Sequence, residues 1–336
     1  AVVLSLIFAG MSGAAIAGVA GLGKIFVDSM EDEGYQRDYG AALTIAASTV
    51  GPIFPPSIPL VIYATLAQIS SVKSLLGGVL PGILMSACLF IYVMIVDKKK
   101  LINPPSEKSQ EKSNYTLKQL FIRALPITIA PVLVLITMLT GVFSPGETGA
   151  MAVLYLLFVG LIHKSLTWKK LWKCVKDTCR SVGSIMVIVT AGIFTKALML
   201  EDLPDVIISL LGPVAKIPLA VIFIVNIILL IMGMFMESNC ALILTAPIVL
   251  QITKSFGMDP VYIGVMMVMN LMIGLSTPPF GLCIYAVARV ADVPPDKVIK
   301  SVVPMYIPLG VALILVALIP ALSTFVPNVV MSLFKV

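Results

Sequence analysis

A proline-rich stretch interrupts the first long apolar run of the chain. Gly51-Pro52-Ile53-Phe54-Pro55-Pro56-Ser57-Ile58-Pro59 holds four prolines in nine residues. It lies in a run from about 41 to 67 that is otherwise long and apolar enough for a membrane-spanning helix. Proline lacks an N–H and clashes with the preceding turn, so the helix breaks there. Because unpaired backbone groups at membrane depth need protein or a water-filled cavity around them, this break predicts a binding site.

The same kind of break occurs a second time in the chain. Gly274-Leu275-Ser276-Thr277-Pro278-Pro279-Phe280-Gly281 interrupts another apolar run, at an offset of 223 residues. Chance apolar similarity would match Leu, Ile and Val, whereas here glycines and a proline pair coincide. We therefore predict an internal repeat. The residues that coincide are Gly10-Met11 with Gly233-Met234, Gly34 with Gly257, Tyr39 with Tyr262, Gly51 with Gly274, and Pro55-Pro56 with Pro278-Pro279.

The composition assigns the chain to a class. Hydrophobic residues make up 59% and charged residues 12%, and the mean hydropathy is +1.06. A soluble domain has about 45–50% apolar and about 25% charged residues. The chain is therefore predicted to be an all-α polytopic membrane protein. Its net charge of +6 comes from Lys and Arg residues between the apolar runs, so it does not indicate nucleic-acid binding. The five cysteines form no CxxC pair and are interpreted as free thiols.

The pattern along the chain predicts two re-entrant hairpins, with tips near 11–15 and 233–239, each followed by a broken helix. Residues 164–180 are predicted to form a basic amphipathic helix on the membrane surface, with a solvated loop as the alternative.

The chain begins inside an apolar run without Met, and it lacks the positive region of a signal peptide, so we expect the later part of a longer chain. The predicted divisions are 1–70 for the first hairpin and broken helix, 71–123 for a span and cytoplasmic linker, 124–213 for scaffold spans with the surface helix, 214–291 for the second hairpin and broken helix, and 292–336 for the final scaffold span.

The distribution of basic residues predicts the orientation in the membrane. Cytoplasmic loops carry the excess of Lys and Arg. If residues 98–123 are assigned to the cytoplasm and the predicted spans cross the membrane in alternate directions, 18 of the 23 Lys and Arg residues lie on the cytoplasmic side. They include those of 98–123 and 164–180. The chain then crosses the membrane an odd number of times between the two breaks, so the two copies are predicted to be inverted. Inverted repeats with broken helices at the midplane are typical of secondary transporters.

Four motifs in order resemble one family over essentially the whole chain. The family is the large membrane subunit of TRAP (tripartite ATP-independent periplasmic) transporters. The tip Glu237-Ser238-Asn239 departs from the commoner Glu-Pro-Thr form of that family. The motifs are Gly10-Met11-Ser12-Gly13-Ala14-Ala15, Gly51-x-x-x-Pro55-Pro56-Ser57-Ile58-Pro59, Gly233-Met234-Phe235-Met236-Glu237, and Asn270-Leu271-Met272-Ile273-Gly274-Leu275-Ser276-Thr277-Pro278-Pro279-x-Gly281.

The resemblance implies a function and partners. It implies sodium-driven import of an organic acid across the bacterial inner membrane, with a multi-pass transport domain that slides like an elevator against a scaffold. A periplasmic binding protein would deliver the acid, and a small four-helix membrane subunit, sometimes fused at the N-terminus, would accompany the chain. The lipid bilayer is the remaining partner. No enzymatic activity and no nucleic acid are implied. The family has additional spans before the first hairpin, which supports the interpretation as a fragment.

Two cation sites are predicted, one for each hairpin tip and its neighbouring break. Na⁺ binds several oxygens, and broken helices expose carbonyl groups at their C-terminal half-ends. The alternative is that small residues there only allow close packing, and that Glu237 only orients its tip by accepting N–H bonds. The predicted ligands are Ser12, Ala14, Ser48, Thr49 and Gly51 for the first site, and Met236, Glu237, Asn239, Gly274, Ser276 and Thr277 for the second.

The predicted substrate contacts are Ser12, Gly13, Pro56 and Ser57. Ser57 follows the proline pair where a new half-helix begins, and the free N–H groups of such an end favour an anion. A C4-dicarboxylate would favour a cationic clamp, but no Lys or Arg lies near either break in the sequence. We therefore expect a monocarboxylate with many hydroxyls, such as sialic acid.

Other classes of function stay open as alternatives. A passive channel or a receptor-like membrane subunit without sodium coupling is the first of them. A channel would need a continuous polar stripe along one span, and a membrane enzyme would need a reactive constellation, and neither is visible in the sequence. The glycines of Gly18-x-x-Gly21-x-Gly23 lack the preceding strand that a dinucleotide site needs.

Overall fold

The computed structural model describes residues 15–100, 143–185 and 217–334, with scattered residues within 125–142 and 192–209. The regular secondary structure of these segments is helical. Those of 15–100 and 217–334 belong to one compact unit, and those of 143–185 to a second. The helices are α1 (Ala15–Asp32), α2 (Arg37–Val50), α3 (Ile58–Ala67), α4 (Ser71–Gly77), α5 (Val79–Lys100), α6 (Pro145–Ile162), α7 (Trp168–Ile185), α8 (Pro218–Phe235), α9 (Ser238–Lys254), α10 (Pro260–Leu275), α11 (Leu282–Ala291), α12 (Pro295–Val302), α13 (Tyr306–Leu318) and α14 (Ala321–Phe334).

The helical class predicted from the composition is confirmed. Within the described residues, five apolar helical runs are long enough to cross a membrane. The first contains α2, the first break and α3, and it is mostly buried inside the protein, as a core element would be. These runs are Arg37–Ala67, Ser71–Val96, Pro145–Ile162, Pro218–Phe235 and Pro295–Leu318.

Two helices that end at the breaks form the centre of the larger unit. Every residue of α2 from Tyr39 to Val50 is buried, and so is every residue of α10 from Val261 to Leu275. The small residues of α2 let its neighbours approach closely, and α1, α11 and α12 pack around it. The helices of the second hairpin, α8 and α9, pack around α10. The breaks therefore occur at the ends of the most deeply buried helices.

The helix after each break packs against the hairpin of the other half. α3 packs against α9, and α11 packs against α1. The Tyr63 hydroxyl of α3 donates to the carbonyl of Pro260 at the start of α10, at 2.7 Å. At the start of α2, Arg37 Nε donates to the carbonyl of Ala291 at the end of α11, at 2.8 Å. The two halves are thus joined reciprocally at both ends.

Some boundaries differ from the sequence-based expectation. Within the final region 292–336, the apolar pattern of the sequence predicts a span at 302–325, but the apolar run ends at Leu318, where α13 ends. Pro320 has no N–H to continue the ladder, and a separate helix begins at Ala321. Three predicted parts lie largely outside the described residues. They are the first hairpin tip at 11–15, the linker at 98–123, and the stretches of the scaffold region 124–213 that precede 143 and follow 185.

Candidate functional site

The first break is a short, well-connected turn. A 3₁₀ turn at Gly51–Ile53 follows α2, Phe54 is extended, and the Pro55-Pro56 peptide bond is cis. Ser57 is the N-cap of α3, because its Oγ accepts a hydrogen bond from Leu60 N at 3.2 Å. The same hydroxyl donates to the carbonyl of Pro52. The hydroxyl proton of Ser57 is therefore already donated within the protein. A contact between Ser57 and a substrate stays a prediction.

The backbone of the first break is held by the junction between α4 and α5. A Cβ on Gly78 would lie 2.1 Å from Ile53 O, so only glycine lets the two backbones come this close. Ser74 Oγ donates to Leu60 O at 3.0 Å. Pro56 is half-buried beside Ser57. The break is thus a fixed part of the core.

Predicted ligands of the first cation site lie at the end of α2. Ser48, Thr49 and Gly51 are all buried there. Thr49 Oγ1 donates to Ala46 O at 2.7 Å, which leaves the hydroxyl oxygen able to accept or coordinate. The other predicted residues of this tip, Ser12, Gly13 and Ala14, lie outside the described residues.

The second break has hydroxyl groups at the end of α10. Ser276 Oγ and Thr277 Oγ1 both donate to Ile273 O, at 2.8 and 2.7 Å. The Tyr306 hydroxyl donates to the carbonyl of Ser276. The Pro278-Pro279 bond is cis, and Gly281 has a φ of +40° just before α11. Both hydroxyl groups thus bond back to the helix, and a hydroxyl oxygen that donates its proton can still accept a hydrogen bond or coordinate an ion.

The tip of the second hairpin is organised by Glu237. Two extended residues, Met236 and Glu237, join α8 to α9. Glu237 Oε2 accepts hydrogen bonds from Asn239 N at 2.9 Å and from Cys240 N at 3.1 Å. This is the N-cap arrangement of a helix. The carboxylate thus accepts backbone N–H bonds at its tip, and direct ion binding by Glu237 stays a prediction.

Asn239 presents a buried oxygen at this tip. Its Nδ2 donates to Glu237 Oε1 at 3.0 Å. A carboxylate only accepts hydrogen bonds, so the amide NH₂ must face Glu237 and the amide oxygen must face away from it. Oδ1 is buried and has no hydrogen-bond partner. A buried amide oxygen without a donor is a suitable ligand for a hard cation.

The second hairpin and the second break are in direct backbone contact. A Cβ on Gly233 would lie 3.1 Å from both Gly274 Cα and Leu271 O. The rings of Phe235 and Phe280 also meet, with centroids 5.5 Å apart. The structure therefore brings the end of α8 to the end of α10, which is the pairing of tip and break that the second predicted site requires.

Sequence reasoning missed a pair of asparagines in the same region. Asn270 Nδ2 donates to Asn226 O at 2.8 Å and to Asn226 Oδ1 at 2.6 Å, which links α10 to α8. Asn270 is 1% exposed, and its Oδ1 has no partner. An amide in an apolar helix is itself a signal of function or specific packing, and it could have identified both residues.

Comparison with known proteins places the chain among transporters. The family model for the tripartite ATP-independent periplasmic transporter, DctM component, matches residues 1–322. The sialic acid TRAP transporter large permease protein SiaM of Vibrio cholerae is 33% identical over 97% of this chain and 76% of its own length. The C4-dicarboxylate TRAP transporter large permease protein DctM of Pseudomonas aeruginosa is 34% identical over 98% of this chain and 76% of its own length.

A third relative is longer. The sialic acid TRAP transporter permease protein SiaT of Haemophilus influenzae is 33% identical over 96% of this chain. The match covers 52% of the length of that relative. The relatives are named as transporter permeases and not as enzymes. From the family match and these identities, the chain belongs to the DctM family of tripartite ATP-independent periplasmic transporters.

Proposed function

We propose that this chain is the membrane permease of a sodium-coupled importer of an organic acid. The observation that carries the proposal is Asn239 Oδ1, a buried amide oxygen without a donor. It belongs to a hairpin tip whose helix α8 touches the second helix break through Gly233 and Gly274. Because a buried acceptor without a partner costs free energy, a bound cation would remove that cost.

The proposed sodium ligands are oxygens from a tip and from the break beside it. The orientation of Asn239 is fixed by Glu237, and the hydroxyl oxygens of Ser276 and Thr277 lie at the end of α10. The C-terminal end of α10 adds the negative end of a helix dipole, which favours a cation. The second site would use Met236, Glu237, Asn239, Gly274, Ser276 and Thr277, and the first Ser12, Ala14, Ser48, Thr49 and Gly51.

Helix boundaries support the proposed internal repeat. When the offset of 223 residues is added to the bounds of α1, α2 and α3, they become 238–255, 260–273 and 281–290. These ranges nearly coincide with α9, α10 and α11. The reciprocal packing of α3 on α9 and of α11 on α1 supports a single rigid transport domain. Such a domain, sliding against a scaffold, is the elevator mechanism that we propose.

The substrate is proposed to be a carboxylate, with sialic acid as the first to test. Two of the relatives are named for sialic acid and one for C4-dicarboxylates, at nearly equal identity. No Lys or Arg lies between 38 and 72, around the first break, or between 255 and 288, around the second. A second carboxylate would therefore have no cationic partner from these segments. Ser12, Gly13, Pro56 and Ser57 are the proposed contacts.

The proposed partners follow from the architecture of the relatives. Two of them are named large permease proteins, which implies a smaller membrane subunit beside them. We propose that this chain lies in the bacterial inner membrane and works there with such a subunit, either separate or fused. A binding protein in the periplasm would deliver the substrate to it.

A thermal-shift measurement on the purified chain tests the sodium site. We expect Na⁺ to raise the unfolding temperature relative to the same concentration of K⁺, and sialic acid to raise it further in Na⁺, with succinate as the comparison acid. Asn239→Ala should weaken the response to Na⁺, whereas Cys240→Ala, one residue along the same tip, should leave it unchanged. Equal unfolding temperatures in Na⁺ and K⁺ would contradict sodium binding.

Uptake into proteoliposomes tests the transport cycle. The chain, its small subunit and its binding protein should accumulate the acid only with an inward sodium gradient. Undiminished, concentrative uptake with sodium replaced by potassium would contradict the coupling, and equilibration without accumulation would favour the passive channel.

A further inference from the structure

The helix α7 has two chemically distinct faces. Residues on an α-helix are 100° apart around its axis, so positions three and four apart share a face. The apolar face and the basic face lie on opposite sides, and Asp177 is the one acid within the helix. The apolar face holds Trp168, Leu171, Trp172, Val175 and Val182, and the basic face holds Lys169, Lys170, Lys173 and Lys176.

Large side chains of this apolar face are exposed in the part of the unit that the structure describes. Trp168 is 77% exposed and Trp172 is 54% exposed. Val175 and Val182 are also exposed. Large apolar side chains in this state are typical of a surface that binds a membrane or a partner.

A tight turn fixes where α7 begins. The N–H groups of Ser165 and Leu166 both donate to Gly160 O near the end of α6, at 3.1 and 3.3 Å. The Leu166 side chain packs against Gly160, 3.3 Å from where a Cβ would be. Lys170 Nζ donates to Ser165 O at 3.0 Å. The first turn of α7 is therefore attached to the C-terminal end of α6.

We expect that end of α6 to lie at a membrane surface. α6 is an apolar helix of 18 residues, long enough to cross a membrane. Its large side chains, such as Leu154 and Phe158, are exposed in the described part of its unit, as they would be against lipid. The attached α7 therefore starts at the boundary between hydrocarbon and headgroups, and the positive-inside rule puts this boundary on the cytoplasmic side.

We infer that α7 is a docking site for anionic phospholipids of the cytoplasmic leaflet. The indole rings of Trp168 and Trp172 suit the headgroup level, where one side of the ring is apolar and the other wet. The long, flexible stems of the lysines let their ammonium groups reach back to the headgroup level and bind lipid phosphates. The negative surface potential of the cytoplasmic leaflet attracts such clusters.

The chain offers a specific optical probe for this interaction. It contains two tryptophans, and both lie on α7, so the tryptophan fluorescence of the whole chain reports this helix alone. The full chain is reconstituted in phosphatidylcholine vesicles that contain increasing fractions of brominated phosphatidylglycerol or of brominated phosphatidylcholine. One lysine near an anionic surface is worth a roughly fivefold preference, so for this cluster half-maximal quenching should occur at a fraction of the brominated anionic lipid that is lower by a factor of roughly five or more.

A charge-matched pair of variants identifies the residues responsible. Lys169→Gln/Lys173→Gln/Lys176→Gln should sharply reduce the difference between the two lipids, since it leaves only Lys170 of the basic face. Lys24→Gln/Lys297→Gln/Lys300→Gln removes the same charge from exposed positions on other helices and should preserve the difference. Equal quenching of the wild-type protein by both lipids would overturn the inference, and so would no quenching by either, since protein would then cover the apolar face. The comparison of the two lipids on the wild-type protein is decisive even where a variant does not fold.

Discussion

The backbones of Gly233 and Gly274 are in direct contact. A Cβ added to Gly274 would lie only 2.8 Å from the Cα of Gly233. A membrane protein gains little from the hydrophobic effect between its helices, so close backbone contact of this kind contributes through dispersion and specific fit. The contact positions the second hairpin against the second break. It thereby brings the hairpin that carries Asn239 to the end of the helix that Ser276 and Thr277 follow.

Gly274→Ala should destabilise the protein. The added methyl group meets backbone atoms, including Leu230 O at 3.0 Å, which cannot rotate away as a side chain could. We expect a loss of about 1–3 kcal/mol, seen as a lower thermal unfolding temperature in detergent. Gly310→Ala in α13 is the matched control, because nothing lies within 4 Å of the place that its methyl group would take and alanine favours the helix. A Gly274→Ala protein as stable as the Gly310→Ala protein would refute the close contact.

The Asn226–Asn270 pair should show energetic coupling. Both side chains are more than nine-tenths buried, and Asn270 Nδ2 bonds two oxygens of Asn226. A double-mutant cycle with Asn226→Ala and Asn270→Ala should give a coupling of about 0.5–1.5 kcal/mol, typical of polar pairs between membrane helices. Thr65→Ala, which removes an exposed bond within α3, is the control. Additive effects of the two asparagine changes would mean that the pair does not stabilise the α8–α10 contact.

Arg37→Lys should weaken the link between the two halves. Arg37 donates through Nε to Ala291 O, and its other nitrogens pair with Glu31 and, at 2.7 Å, with Asp28. Lysine keeps the charge but cannot form this fork of donors. Because the ion pairs are partly exposed, most of the expected loss of about 0.5–1.5 kcal/mol comes from the bond to Ala291. Thermal unfolding at low and high salt measures it, with exposed Arg289→Lys as the control. A loss that disappears at high salt would assign the effect to the ion pairs instead.

Ser57→Ala separates a capping role from a substrate contact. The change removes the N-cap of α3 and leaves the carbonyl of Pro52 without its donor, so we expect a loss of stability of about 1–3 kcal/mol. Ser86→Ala, which removes a hydroxyl bonded within its own helix, should cost less. A role in substrate binding predicts in addition an affinity weakened by about 1.5–3 kcal/mol, measured by titration in Na⁺. Unchanged affinity with reduced stability would identify Ser57 as a cap alone.

Local signals in the sequence predicted the breaks well. Pro55-Pro56 and Pro278-Pro279 forbid a continuous helix wherever they occur, so α2 and α10 end near the predicted positions. The capping function of Glu237 was also available as an alternative, because a carboxylate before a helix is a common N-cap.

Contacts between distant segments could not be predicted in this way. The bond from Arg37 to Ala291 and the fit of Gly78 against Ile53 depend on tertiary packing, which leaves no local pattern. The same is true of the last helices, because a proline such as Pro320 ends one helix without determining where the next one packs. The free oxygen of Asn239 follows from the orientation of its amide, which only the bond to Glu237 defines.

The reciprocal packing of α3 on α9 and of α11 on α1 has a consequence for biosynthesis. Ribosomes release the chain from the N-terminus, so α1, α2 and α3 enter the membrane before α9 has been made. The surface of α3 that later contacts α9 must meanwhile face lipid or the insertion machinery. The contacts of α3 with α9 therefore form only after the second half has been inserted. A ribosome stalled before α9 should leave a membrane-inserted but protease-sensitive intermediate.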